Sequence, residues 1–395
     1  MSDSKLHRDR VAAHISRLPR SGIRDFFELV NSMDDVVSLG IGEPDFVTPW
    51  GIREATIYAL EKGHTSYTSN LGLLSLRKAC CNYVSNQFSA DYDPASECLI
   101  TVGVSEGMDL ALRAILDPGD EVIYHEPSYV SYAPTVQMTH AVPVPVETRQ
   151  EQGFALTADA VEEAVDDKTK ALILNYPNNP TGAAINYEQK KKIADVAVKH
   201  DLIVITDEIY SELTYGDRSR SIAACPGMKE RTIFLHGFSK AFAMTGFRIA
   251  YACGPAELIE AMMKIHQYSM LCASIVAQEA ALEALTGSMR AVEKMRVEYE
   301  QRRNVIVKRL NAMGLACNIP DGAFYVFPKI AGTGLTSREF ATQLLERKKV
   351  AVVPGTAFGS CGEGHIRCSY AASMQDIETA MRRMREFVQE TALGS

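Results

Sequence analysis

The chain has 395 residues, of which 46% are hydrophobic and 23% charged. That mix excludes collagen-like, fibrous and wholly disordered chains. Lys and Arg number 41 against 49 Asp and Glu, a net charge of −8, which argues against general nucleic-acid binding. At ~150 residues per domain, length alone suggests two or three domains. No apolar run approaches the ~18 residues of a membrane span. The sequence opens without a secretory-type apolar segment. Lys5, Arg8, Arg10, Arg17 and Arg20, offset by Asp3 and Asp9, read as a solvated lead-in to a helix. The nine cysteines form no C-x-x-C pair, which argues against a zinc ribbon or a thioredoxin-type site. They read as reduced, small buried hydrophobes in a cytoplasmic protein, and no metal is expected.

In chain order, β-rich runs alternate with helical patterns. Strands are expected at 98–102, 121–124, 141–146, 171–174, 202–206, 232–235 and 248–252. Runs such as ALIL and LIVI are apolar throughout, which suits strands buried on both faces of a mostly parallel sheet. A helix over 188–200 precedes LIVITDE, and alternation of this kind implies an α/β layer architecture. A long helical pattern follows over 277–310. Beyond it, GAFYVFPKI, VAVVPGTAF and HIRCSYA are separate strand candidates in an α+β texture. The early segment VVSLGIGEPDF is expected to join them. This predicts an α/β large domain over 48–290, with a mostly parallel seven-stranded sheet between helices. A small α+β domain would combine 1–47 with 291–395.

H-E-x-x-H, a Walker loop, a complete G-x-G-x-x-G and a G-x-S-x-G elbow are all missing. Four short segments remain, each placed at a strand end where open parallel sheets bind ligands. In TVGVSEGMDLAL, Gly103 permits a tight turn and a helix starts near Ser105. A helix N-terminus with a hydroxyl suits a phosphate, although a plain N-cap serine reads the same way. NYPNNPTG is a constrained loop that holds Asn179 as a rigid donor, or is simply a turn. In VITDEIY, Asp207 sits at a buried strand end and needs a partner; a protonated ring nitrogen or a local arginine would serve. In FLHGFSKAFAMTGFR, Lys240 and Arg248 stand as a Schiff base with a phosphorylated aldehyde would require. A lone loop lysine is usually just solvated. The four segments together, in this order, are far more specific than any one.

From SLGIGEPDF to GHIRCSYA, and above all in SKAFAMTGFR, YPNNPTG and DEIY, the chain resembles class I/II pyridoxal-phosphate-dependent aminotransferases of fold type I. The resemblance implies pyridoxal 5'-phosphate as cofactor and Lys240 as the Schiff-base lysine. It implies that Asp207 pairs with the ring nitrogen, that Tyr210 and Asn179 reach the ring's 3-oxygen, and that Tyr129 stacks on the ring. Val104, Ser105 and Arg248 would hold the phosphate, joined by Tyr67 of the neighbouring subunit in a homodimer. Arg367, with the Gly42 backbone and Asn179, would hold the substrate carboxylate. Some aspartate-type members carry a lysine where this chain has Ser105, and its absence weakens strict dicarboxylate specificity. Gly237 replaces a frequent serine, a role that Ser239 could take.

The resemblance implies ping-pong transfer of an amino group from an amino acid to a 2-keto acid, and no nucleic-acid or membrane partner is expected. An aromatic or broad-range donor with 2-oxoglutarate is favoured. The alternative on the same fold is a C–S β-lyase, since the scaffold does not fix the reaction. A regulator with an added DNA-binding segment would need more chain ahead of the first core motif. The stretch around 23–27 is expected to line part of the pocket.

Overall fold

The computed structural model describes residues 10–18, 33–216 and 220–393. The expected pocket-lining stretch at 23–27 lies outside them, as does most of the basic lead-in, of which Ala13–Ser16 forms a short helix. The strands in chain order are β1 (Val37–Ser38), β2 (Cys98–Thr101), β3 (Glu121–Glu126), β4 (Val142–Glu147), β5 (Thr169–Asn175) and β6 (Ile203–Asp207). They continue as β7 (Thr232–Gly237), β8 (Ala250–Cys253), β9 (Tyr325–Val326), β10 (Val350–Ala351), β11 (Val353–Pro354) and β12 (Ile366–Ser369).

Strands β2 to β8 form one seven-stranded sheet in the order β2-β8-β7-β6-β5-β3-β4. Only β8 runs against its neighbours, β2 and β7. The other pairs are parallel. The C-terminal ends of β2, β5, β6 and β7 therefore share one edge with the N-terminal end of β8. All the expected strands of this sheet form, with ends shifted by a residue or two. The apolar runs explain why. In β5, Leu172 and Leu174 enter one core cluster while Ala171 and Ile173 enter another on the opposite face. Both faces are covered, so neither needs polar side chains. The helix Tyr187–Lys199 covers one face and starts at a capping box formed by Asn186 and Gln189.

Two smaller sheets lie apart. β1 pairs in parallel with β10, with Val37 opposite Val350, so the two ends of the chain meet. β11, β12 and β9 form an antiparallel three-stranded sheet. Their core gathers Phe340, Leu344, Met384 and Phe387 from the last two helices.

Three local expectations are corrected. The pattern over 277–310 is not one helix but two, Ile275–Gly287 and Met289–Ala312. Ser288 between them has left helical geometry, with ψ near 9°. Gly287 supports helix poorly. A side chain there would also run into the Glu283 carboxylate. The helix expected near Ser105 begins two residues earlier, at Gly103. Arg248 stands outside β8 because its φ of 52° is left-handed, which a strand residue does not adopt.

Candidate active site

Eleven of the twelve expected site residues line one cavity of about 440 Å³ at the shared sheet edge. They are Gly42, Val104, Ser105, Tyr129, Asn179, Asp207, Tyr210, Ser239, Lys240, Arg248 and Arg367. The twelfth, Tyr67, does not reach it and is 83% exposed on the single chain.

β2 delivers the chain to Gly103, whose φ is +80°. A Cβ at that position would lie 2.7 Å from Nη2 of Arg248. Glycine is therefore required twice, by its backbone angle and by the guanidinium against it. The helix Gly103–Ile115 starts there, and Val104 and Ser105 fall in its first turn. The first N–H groups of a helix have no partner within it, so this end and Arg248 together favour an anion. Ser105 is not the N-cap, as the plain reading had it; that position is Val102, without a side-chain cap.

β6 ends on Asp207, buried at the sheet edge. Its carboxylate accepts hydrogen bonds from Tyr132 O–H at 2.8 Å and from Ile209 N–H at 3.1 Å. Burial pushes its pKa up to about 6, against the pull of these two donors. Neither is a cation, and among the described residues no cation is in salt-bridge contact with the carboxylate, His236 acting on it only from a distance.

Lys240 follows β7 and is half-buried. Its Nζ donates to the Gly42 carbonyl at 2.7 Å. Burial lowers its pKa to about 8; Glu43 opposes the fall, while Arg367 and Arg248 add to it. A neutral amine is thus accessible near physiological pH. The missing serine at Gly237 has a structural cause. A Cβ there would lie 2.8 Å from that of Ala250 on the neighbouring strand. Ser239 lines the cavity in its place.

Arg367, on β12, is buried with its guanidinium over the Tyr325 ring at 4.5 Å. Its Nη1 donates to Asn179 Oδ1 at 2.9 Å and its Nη2 donates to the Gly40 carbonyl. Its Nε has no partner. A buried donor left over in this way suits a ligand carboxylate.

Several residues here escaped sequence reasoning. Tyr132 holds Asp207, and its place in EPSYVSY, three residues after Tyr129, was the available signal. Asn175 closes β5, donates to the Asp207 carbonyl and accepts from Asn179 N–H. Tyr325 shares a hydroxyl contact of 2.9 Å with Tyr210 and fills the space a side chain at Gly42 would need. Nothing in GAFYVF marked it.

The donor set fits a phosphorylated aldehyde with a basic ring nitrogen: an anion seat, a buried carboxylate and an amine of lowered pKa around one cavity. On a mostly parallel sheet with the site at its edge, this defines an α/β cofactor enzyme that works on amino groups. Residues 34–384 match the family Aminotransferase class I and II, and the chain belongs to that family of pyridoxal-phosphate-dependent transaminases. It is 46% identical to the aspartate aminotransferase of Pyrococcus abyssi, over 94% of this chain and 97% of the relative. It is 45% identical to the aromatic-amino-acid aminotransferase 2 of Thermococcus litoralis, over 94% and 97%. The aspartate aminotransferase of Thermus thermophilus, solved with maleate, superposes with a TM-score of 0.91 at 39% identity, covering 95% of this chain and 99% of that one. Its class, fold type I, is the one the resemblance implied.

Proposed function

We propose that this chain moves the α-amino group of an aromatic or broad range of amino acids to 2-oxoglutarate by ping-pong transamination. The convergence of Lys240, Asp207 and Arg367 on one cavity carries the reading. When bound, pyridoxal phosphate supplies an electron sink for the bond broken at the substrate α-carbon. Lys240 Nζ would link to it, then, once freed, accept the α-proton and redeliver it. Asp207 would keep the ring nitrogen protonated, with Tyr132 holding the carboxylate in place. Tyr210 and Asn179 would face the ring's 3-oxygen and Tyr129 its face. Val104, Ser105, Ser239 and Arg248 would hold the phosphate. Arg367, with Asn179 and the Gly42 backbone, would clamp the α-carboxylate.

The charges in the cavity support a neutral or aromatic donor. Among the described residues its lining cations are Lys240, Arg248 and Arg367, each already engaged. A distal carboxylate, as on 2-oxoglutarate, would need a group from the partner subunit or from outside the described residues. No observation favours the C–S β-lyase alternative. The deciding experiment follows the cofactor-loaded protein spectrally through single half-reactions with a panel of amino acids. Conversion by aromatic and neutral donors is expected, with aspartate slower. Conversion by aspartate alone refutes the donor assignment.

Arg367→Lys keeps the charge but loses the forked donor geometry. We expect KM for the amino acid to rise by ~10–100-fold with a smaller fall in kcat, the loss of one charged hydrogen bond. A change confined to kcat refutes the clamp.

We also propose a homodimer in which Tyr67 serves the neighbouring subunit's phosphate, and a division into 48–290 and the joined ends 1–47 and 291–395. Exposure of Trp50, Tyr58, Tyr67 and Leu74 on one stretch of the single chain supports the dimer. Light scattering is expected to give twice the chain mass at working concentration. An active monomer refutes the shared site. Among the described residues no helix is long and apolar enough to cross a membrane. All nine cysteines are free, which supports a cytoplasmic setting.

A further inference from the structure

None of the cysteines lines the active cavity. Four of them meet elsewhere. Cys98 opens β2 and Cys253 closes β8, and the two face each other in the antiparallel register. Cys80 and Cys81 lie on the helix Leu74–Phe88. The Sγ atoms of Cys81, Cys98 and Cys253 all lie within 4.8 Å of one another. Cys80 is an electrostatic neighbour of Cys98. All four are buried. Among the described residues this is the one group of three or more potential metal ligands so placed.

The surroundings are more polar than a core of small hydrophobes requires. The buried hydroxyls of Tyr92 and Tyr251 have no hydrogen-bond partner. Cys253 is an electrostatic neighbour of both, with Cys81 beside Tyr92 and Cys80 beside Tyr251. Arg77, one helical turn before Cys80 and Cys81, is 7% exposed. It donates to the carbonyls of Gly72, Pro94 and Ala95 and also acts on Cys98.

We propose that Cys81, Cys98 and Cys253 form a three-sulfur structural site for a thiophilic divalent d10 cation of the zinc class. Tetrahedral zinc–thiolate bonds of ~2.3 Å place sulfurs about 3.8 Å apart, so the set needs to contract by no more than about 1 Å. Three thiols would release their protons to solvent on binding. Three thiolates and a divalent cation leave one negative charge, which Arg77 offsets. The ion would tie the helix to the edge strand β2 and its neighbour β8, far from the chemistry. No sequence spacing could reveal this site, because its ligands come from three separate elements.

The test uses the cofactor-loaded protein, produced with zinc in the medium and gel-filtered before metal analysis. About one zinc per chain is expected. Exchange with Cd²⁺, the probe, should produce a thiolate-to-cadmium charge-transfer band. Cys98→Ala and Cys81→Ala should each retain less than about a tenth of that metal. Cys225→Ala, buried in a different core cluster, should retain all of it. If one cluster variant fails to fold, the other and the wild-type band still decide. Wild-type protein with negligible zinc and no cadmium band overturns the proposal. So does undiminished metal in a folded cluster variant, or a denatured thiol count two short of nine, which would mean a disulfide.

Discussion

Lys240→Ala will lower the transamination rate by at least about 10³-fold while leaving the fold intact. One side chain is asked for two tasks, linking the cofactor and carrying the α-proton. Among the described residues no other lysine lines the cavity. The neighbouring groups cannot substitute. Tyr210 and Tyr325 hold each other's hydroxyls, and burial raises the pKa of both. Asp207 is committed to Tyr132 and the Ile209 N–H. The lysine side chain bonds the Gly42 carbonyl and its Nζ lies 6.0 Å from the Tyr210 and Phe324 ring centroids, loose contacts whose loss costs little. Its removal should therefore leave the circular dichroism and melting of the cofactor-free protein nearly unchanged. The visible band of the loaded wild type should disappear. Wild-type turnover in this variant would refute the assignment outright.

Asp207→Asn will act in opposite directions on stability and activity. Burial raises the folded pKa of Asp207 to about 6, so the folded chain binds this proton more tightly than the unfolded chain does. The stability gained from that proton is fully present below the ordinary carboxylate pKa and is lost as pH rises through about 6. At neutral pH the ionised carboxylate, without a paired cation among the described residues, costs the cofactor-free protein about 3 kcal/mol. Asparagine removes the titration. The cofactor-free variant should melt a few degrees higher than wild type at pH 7.5 and lose most of the wild-type fall in stability between pH 5 and 7. Turnover should nonetheless drop by at least ~10²-fold, because the fixed charge facing the ring nitrogen is gone. Equal pH profiles of melting for the two cofactor-free proteins would show that Asp207 is not the strained group. Near-normal turnover would remove it from the chemistry.

Both effects trace to positions readable in the chain. An apolar strand that ends on a carboxylate, as at Asp207, announces a buried charge in need of a partner. A lysine eight residues before an arginine, after another strand, announces an amine beside an anion seat. What fails in such reading is detail set by distant neighbours. The pattern over 277–310 looks continuous because periodicity does not register Glu283 crowding Gly287. Gly237 looks like a lost serine, but Ala250 on the adjacent strand leaves no room for one.

The amino-acid sequence by itself determined the seven strands of the large sheet, the α/β class and eleven of the residues that line the cavity. These depend on local features: apolar runs long enough for buried strands, turn residues after them, and charged groups at their ends. Only the tertiary structure decided how those residues are held. The bond from Arg367 to Asn179 and the one from Lys240 to the Gly42 carbonyl each join segments far apart in the chain. So do Tyr132 on Asp207 and Tyr325 against Gly42. The meeting of Cys81, Cys98 and Cys253 is of the same kind. Such contacts follow from strand order and register, which bring side chains together across the sheet whatever their separation along the chain.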